Sequence, residues 1–577
     1  MKNEKVVVGI DFGTSGIGYA FDFSGCTTQS IILSDLPGQK SDHKVPSEII
    51  LDNYMEEVLA FGAQCKDYIM THKKNEYEYF KNIKMNLYKN NYTIKSTNGK
   101  EVKVETIITK ILKKISEEAI SQIQKGNKHI QKKDIKWIVT IPAIWEQKSK
   151  QIMIDASINA GLIDINSDKS LFLALEPEVA SIYYLMNSLM GHNFKSSEIN
   201  DGKPYIICDI GAGTVDICTH RRNITNSKNK KSEVYEEYPP VGTDGGGYKI
   251  NEEFIKRLIF EIFGEEKVKN LQTNSFDNED WDKFEKEIED KKIACCVNKN
   301  EKLTIDCALF QDESNKKTID DYITEYNKKN LKYKIAKKRR WEIEFPSQIF
   351  YDIINEISNE IFLKIEEIYK NVKTGLILFT GAGSKNNLIK ENLYKLAKEY
   401  NIDIKIETPP TPEISIMKGS VLFGFQNDII RFRKAKYTIG IRNCNKWEDK
   451  YEGKGEKLND SQGNRILCSN LFSKFITRNQ YIEFNSVFTK LYDSIVPNPK
   501  IIFFKTDKED CTFINEKDNN GDLIIHEFGR VQFNIDIDYD KNNRDVLVEM
   551  RFGGTYIDVN VIYKKTKKNL KVIKSFY

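Results

Sequence analysis

The 577-residue sequence has no long apolar run. Nothing in it approaches the roughly 20 apolar residues of a membrane span. The opening "MKNEKVVVGI" is too short in apolar residues for the core of a signal peptide. A CxxC pair is also lacking: the ten cysteines are scattered, and Cys295-Cys296 is the one close pair. Zinc spacing is therefore absent, and a disulfide framework would be odd in a chain this long, so reduced thiols in a cytoplasmic protein are the simpler reading. There is little excess of charge of either sign, with 88 Lys+Arg against 84 Asp+Glu and a formal charge of +4. Neither nucleic acid nor a membrane surface is expected as a partner. The local basic run "KYKIAKKRRW", Lys332 to Trp341, reads as a solvated helix or linker face. The pattern GxxxxGK[ST] is missing too, against an ordinary P-loop NTPase.

What is present is an alternation of strands and helices. "KVVVGIDFG" and "GIGYAFDF" read as strands, and Glu105 to Gln124 has helical spacing through Ile107, Ile108, Ile111, Leu112, Ile115 and Ala119. "IKWIVTIPAIW" reads as a buried strand, and "EQKSKQIMIDASINAGL" as a helix stopped near Gly161. "LFLALEPEVASIYYLMN" adds another strand and helix, which completes a first lobe, 1–204, with a parallel sheet and crossover helices. A second lobe, 205–432, restarts with a hairpin, a glycine turn feeding a helix in "GTDGGGYKINEEFIKRLIFEIFG", and charged helical material from Asp277 to Lys292. It continues with a long helix burying Phe350, Ile353, Ile354, Ile357, Ile361, Ile365 and Ile368. "TGLILFTGAGS" is a strand and turn, and "IMKGSVLFGFQNDIIRF" closes the lobe with a helix returning to the first. A short basic linker, 433–436, is expected before an antiparallel β domain, 437–577. There Val548, Met550 and Phe552 alternate on one face, as do Ile557, Val559, Val561 and Tyr563 across a glycine turn.

The internal echo carries the functional reading. Asp11-Phe12-Gly13 and Asp209-Ile210-Gly211 each follow an apolar strand, and each opens a new half. Glycine lets backbone N–H groups approach an anion with no Cβ in the way. A carboxylate beside such a loop repels phosphate unless a hydrated divalent cation lies between them, and Mg²⁺ is commonly held by one or two carboxylates plus phosphates. The pair points to a nucleoside triphosphate with Mg²⁺ between two lobes. A single Asp-x-Gly turn, by contrast, is usually just a hairpin. Gly381 and Gly383, after the strand "LILFT", would let backbone approach a base or ribose, although many strand-to-helix turns carry glycine for steric reasons alone.

The order of these hairpins with "IPAIW", "LEPEVASIYYL", the glycine turn and "FTGAGS" resembles the actin-like ATPase superfamily, a duplicated ribonuclease H-like fold. Within it, "YFKNIKMNLY", "WIVTIPAIWEQKSKQ", "LALEPEVASIY" and "MRFGGTYIDVNV" are similar to the 70-kilodalton heat-shock family, in its divergent heat shock 70 kDa protein 12 branch. The resemblance spans nearly the whole chain, with the charged segments Thr225 to Ser232 and Asp312 to Arg340 outside it. It implies that Asp11 and Asp209 hold the hydrated Mg²⁺, with Asp216 in its outer shell or orienting water. Gly13, Thr14 and Ser15 would bind phosphates from one side, and Gly211, Ala212, Gly213 and Thr214 from the other. Lys84 matches the catalytic lysine and Glu176 the carboxylate positioning water or metal. Gly246 and Gly247 correspond to a glycine pair facing the phosphates. Gly381, Ala382 and Gly383 fall at the adenosine turn, and Lys291 and Lys292 at the adenine-clamping helix in an open register.

Other readings stand beside these: a solvated lysine for Lys84, a helix N-terminal residue for Glu176, and a solvent-facing Asp216. The chain departs from the family in Ala212, in Ala382, in a basic rather than acidic, leucine-rich linker, and in lacking a helical lid after the β domain. The implied function is ATP binding with slow hydrolysis to ADP, and chaperone-like or regulatory binding of a protein partner or client through the β domain. A non-catalytic nucleotide sensor and a small-molecule kinase of the same superfamily are the alternatives.

Overall fold

The computed structural model describes residues 6–23, 27–39, 41–163, 171–189, 199, 202–224, 232–274, 278–295, 302–311, 317–330, 332–409, 411–459, 466–493, 498–535, 545–570 and 572–576. Residues 225–231 and 312–316 of the two charged segments, and Cys296, lie outside these.

Strand Val6–Phe12 is non-polar at every position but Asp11 because it has no solvent face: all seven of its residues are buried. It runs parallel to Ile135–Ile141, which runs parallel to Leu171–Leu175, and it pairs antiparallel with Gly16–Asp22. Val6, Val8, Ile10 and Phe12 pack toward helices Val104–Gly126 and Gln147–Asn159, while Val7 faces helices Glu176–Leu189 and Ser415–Phe425. A sheet covered on both faces reads as a continuous apolar run rather than an alternating one. Each such Val, Ile or Phe contributes about 1.5–3 kcal/mol by leaving water.

A second sheet is built in the same manner. Pro204–Ile210 pairs antiparallel with Val215–Ile224 and parallel with Leu376–Thr380, which is parallel to Lys405–Glu407. Ile206, Cys208 and Ile210 join the core under helix Gln348–Val372, whose stripe from Phe350 to Ile368 is buried. Tyr205, Ile207 and Leu378 face the other way, onto the same two helices that cover the first sheet. Helices Glu176–Leu189 and Ser415–Phe425 thus form a shared middle layer. Gly419 permits their contact, since a Cβ there would lie 1.9 Å from the Val179 carbonyl oxygen.

The structure departs from expectation, or adds to it, in three places. The basic run contains strand Ala336–Arg339, wholly exposed at the edge of a small antiparallel sheet with Glu342–Pro346 and Lys302–Asp306. It is solvated, but as a strand, and a lysine-rich edge resists further pairing. Within the charged segment outside the resemblance, Ile319, Tyr322 and Tyr326 of helix Ile319–Lys329 are buried in the core that includes Phe263 and Phe310. Finally, the expected linker at 433–436 begins inside a strand. Ile430–Lys434 lies parallel to Ser232–Thr243 and antiparallel to Tyr481–Glu483, so the C-terminal part lends a strand to the second sheet.

After residue 437 the chain forms two antiparallel sheets over one apolar core. Val546, Val548 and Met550 stand opposite Tyr563, Val561 and Val559, all buried, as period-two alternation requires. No α-helix occurs among the described residues after Phe425. No described helix is long and apolar enough to cross a membrane. No disulfide joins the described cysteines.

Candidate functional site

Both hairpin turns open onto one cleft of about 130 Å³. Asp11 ends the first strand opposite Gly18, and Asp209 stands directly opposite Asp216 in the second hairpin. Gly13, Thr14 and Ser15 line the cleft from one side, and Gly211, Ala212, Gly213 and Thr214 from the other. The turns nearly touch. A Cβ on Gly213 would lie 2.7 Å from Thr14 Oγ1 and 2.4 Å from Met85 Sδ, so any larger residue would have to push these side chains aside. Gly381 and Ala382 close a third wall; Gly381 has φ +78° and its backbone passes so near Asp209 that a Cβ would sit 2.4 Å from Oδ1.

Lys84 and Glu176 complete the cleft. Lys84 lies in the short helix Ile83–Tyr88 and is 4% exposed, so it is not a solvated lysine. Its Nζ donates to Glu176 Oε1 and lies 5.8 Å from the centre of the Trp145 ring. Glu176 is the first residue of its helix, where the dipole also favours an anion, so the helix-terminal and site readings coexist. Asp216 is 1% exposed. Its Oδ2 accepts from Thr214 Oγ1 at 2.7 Å and its Oδ1 from the Ile144 N–H at 3.0 Å, which ties the second hairpin to the "IPAIW" loop.

Charge is unbalanced here. Four buried carboxylates, those of Asp11, Glu176, Asp209 and Asp216, meet two ammonium groups, Lys84 and Lys44. Burial, reinforced by Glu176, Asp216 and Asp11, holds the Asp209 carboxyl well above the usual carboxylate range. Burial pushes Glu176 up to about 7 against the opposing pull of Lys84. Asp216 is raised by burial despite its two hydrogen bonds. Asp209 Oδ1, itself buried, has no hydrogen-bond partner among the described residues. A buried oxygen left unpaired is costly, and a divalent cation held by oxygen ligands satisfies it while supplying the missing positive charge. The donor set fits such an ion.

Lys44 was not legible as a site residue. It precedes the two-residue strand Val45–Pro46 on the Gly16–Asp22 edge, and its Nζ reaches Asp11 Oδ2 at 2.6 Å. Burial lowers its affinity for a proton, but Asp11 beside it more than compensates, and the ammonium is held above its ordinary range. No motif marks the position. Asp42 and Glu413 also line the cleft.

Other expected residues lie around rather than in it. Gly246 and Gly247 brace the second hairpin from behind: a Cβ on Gly246 would lie 2.6 Å from the Ala212 oxygen, and the Gly247 N–H donates to the Gly211 oxygen at 3.2 Å. Gly383 packs on Ile210. Of the two lysines in open register, Lys292 is buried and donates to the Gly247 oxygen at 3.1 Å, whereas Lys291 turns to Glu287 at 3.8 Å.

A second buried cluster, Glu178, His220 and Glu236, has its ligand atoms within 4.8 Å of one another. It is closed by a guanidinium. Arg433 Nε and Nη2 each reach a Glu178 oxygen at 2.7 Å, and Nη1 donates to the Gly553 oxygen. Glu236 accepts the Lys434 N–H at 2.9 Å, and His220 Nδ1 lies 2.9 Å from Ser181 Oγ. Burial keeps His220 neutral, down to about 4. With both Glu178 oxygens taken, this is an ion-pair cluster.

No family model matches the chain. Among curated proteins, it is 25% identical over a 640-position alignment to heat shock 70 kDa protein 12A of Homo sapiens, covering 98% of this chain and 91% of that protein. The mouse protein of that name, from Mus musculus, is 24% identical with the same coverage. Heat shock 70 kDa protein 12B of Homo sapiens is 22% identical, covering 98% of this chain and 90% of its own.

Proposed function

We propose, from the premise that the chain is a divergent relative of the heat shock 70 kDa protein 12 branch, that its cleft takes ATP with Mg²⁺ between two actin-like lobes and hydrolyses it slowly to ADP and phosphate. The observation that carries this is Asp209 Oδ1, buried without a hydrogen-bond partner among the described residues in a cleft walled by two glycine hairpins.

In this reading Asp11 and Asp209 hold the ion, and Mg²⁺, when bound, neutralises charge on the phosphates. Asp216 fixes the second hairpin through Thr214 and Ile144. The backbone N–H groups of Gly13 to Ser15 and of Gly211 to Thr214 orient the phosphates, with Gly381 and Ala382 toward the adenosine. Lys84, held by Glu176, places an ammonium where charge develops as water forms a bond to the γ-phosphorus and the bond to the ADP oxygen breaks. Glu176, near neutrality, can accept a proton in the cleft. Lys44 offers a second ammonium to the phosphates. A protein partner or client would bind the C-terminal sheets, where edge strand Ser486–Asp493 exposes Val487 and Leu491 on one face. Such a protein would work in the cytoplasm.

The locked Lys84–Glu176 pair favours one second reading, a nucleotide sensor without turnover. Calorimetry of ATP with and without Mg²⁺, followed by single-turnover phosphate release, decides. Magnesium-dependent binding and an approximately 100-fold slower release in Lys84→Ala, or about 2.7 kcal/mol, are expected. Tight binding with equal, negligible release in both proteins leaves the sensor. No magnesium-dependent heat removes both.

A further inference from the structure

A second cavity lies where three parts of the molecule meet: the start of helix Gln147–Asn159, strand Ile430–Lys434, and the C-terminal sheets around Gly553–Thr555. It measures about 190 Å³, more than the roughly 150 Å³ that holds a benzene ring in an engineered protein cavity. Its walls are apolar, formed by Trp145, Leu175, Ile439, Phe528, Phe552 and Ile557.

Its charges do not cancel. Lys150, Arg433, Lys434, Lys436 and Lys505 line it against two carboxylates, Glu146 and Glu236. Lys505 is taken by Glu146 at 2.9 Å, and Arg433 by Glu178. The Lys434 Nζ donates to the Glu237 carbonyl oxygen at 3.0 Å. Burial and neighbouring Glu178 push Glu236 up to about 8, so it keeps its proton near neutrality. Lys150 and Lys436 remain. The Lys150 Nζ donates to the Thr555 carbonyl oxygen at 3.0 Å, Lys436 lies 5.3 Å from the centre of the Tyr437 ring, and neither forms an ion pair among the described residues. Burial and the nearby Lys436 bring Lys150 down to about 8, against the weaker pull of Glu178 and Glu146, which are engaged by Arg433 and Lys505.

We propose that this cavity is a second ligand site, for a small organic acid whose anionic head pairs with Lys150 and Lys436 while a ring or short alkyl body fills the apolar space. The head supplies the counter-charge that the protein does not, and the body displaces water from the aromatic wall. A ligand seated there touches the helix at 147–159, the strand at 430–434 and the C-terminal turn at once, and so stabilises their contact by mass action. The site uses none of the residues assigned to the nucleotide and stands or falls apart from that reading.

The test is calorimetry on the full chain with octanoate, phenylacetate and octanol; a ligand-dependent change in tryptophan fluorescence that is lost in Trp145→Phe reports position, since Trp145 is one of five tryptophans. One equivalent of an acid is expected to bind at least tenfold more tightly than octanol, with the two acids distinguishing an alkyl from an aromatic source. Lys150→Met is expected to weaken that acid at least tenfold while the alcohol is unchanged. Should Lys150→Met fail to fold, the exposed Lys436→Met serves, with a several-fold loss. Absence of saturable binding by either acid, equal binding of acid and alcohol, or an affinity that neither variant changes overturns the proposal.

Discussion

Glu176 and Glu178 stand two residues apart in the first turn of one helix, about 200° apart around its axis, and they enter opposite kinds of site. Glu178 faces Arg433, whose planar fork satisfies both its oxygens and then reaches the Gly553 oxygen of the C-terminal part. Glu176 faces a cleft in which four carboxylates share two lysines and Asp209 Oδ1 has no hydrogen-bond partner among the described residues. Both clusters are buried, and both perturb the titration of their members. Each leaves a buried polar atom without a hydrogen-bond partner among the described residues, His220 Nε2 in the first and Asp209 Oδ1 in the second, but only Asp209 lines the cleft, where a guest can reach it. A strongly shifted carboxyl is therefore not by itself the mark of a site; the unmet valence beside a cleft is.

The comparison breaks most readily at Arg433. Arg433→Ala leaves Glu178 buried without its partner, and the expected loss of unfolding free energy is about 3–5 kcal/mol, read from denaturant titration. Replacing the pair together, Glu178→Gln with Arg433→Met, is expected to recover most of it. If the single change costs as little as a surface substitution, the seam is not held by this pair.

The pH dependence of stability separates the clusters next. Glu176 rises from 4.5 to about 7 on folding, so its contribution is fully present below about pH 4.5 and is lost as pH rises through about 7. Glu236, raised to about 8, carries the same sign to higher pH. Stability without nucleotide is expected to fall by several kcal/mol across that window, at about 1.4 kcal/mol for each pH unit between a carboxyl's unfolded and folded midpoints. Glu236→Gln should remove the portion near 8 and leave the portion near 7, and Glu176→Gln the reverse. A flat profile in the unsubstituted protein contradicts both assignments.

Asp209→Asn sharpens the contrast further, because its two effects have opposite signs. It removes a carboxyl whose ionisation is opposed by burial and by three other carboxylates, so the ligand-free protein should melt higher. It also removes an ion ligand, so magnesium-dependent ATP affinity should drop about tenfold, or 1.4 kcal/mol. Loss of stability together with unchanged affinity would place Asp209 with the structural cluster.

Which of these residues the sequence discloses follows from how each is held. Asp11 and Asp209 end apolar strands before glycine, a local signature that survives without any knowledge of the partner. The alternation Val548, Met550, Phe552 is likewise local, since strand period alone decides which face is buried. Arg433 looked like linker charge because its partner Glu178 is 255 residues away and nothing local announces the match. Lys44 is hidden for the same reason: its meaning comes from Asp11 across the sheet edge. Lys291 and Lys292 differ by about 100° of helix rotation, and only packing could choose the inward one.

The smallest effect expected concerns how the seam is closed where no charge is involved. Gln147 Nε2 donates to the Ile557 oxygen at 3.1 Å, and its Oε1 accepts the Ile557 N–H at 3.3 Å, a neutral two-point contact between the first helix layer and the C-terminal turn. Gln147 is only half-buried, so water can replace it in part. Gln147→Ala should cost about 0.5–1.5 kcal/mol, well below Arg433→Ala on the same seam. Double substitution tests whether they act as one latch. Summed losses mean that the ionic and neutral contacts close the seam independently; a loss smaller than the sum means that Arg433 and Gln147 hold the turn from Gly553 to Ile557 as a single unit, released once either end is free.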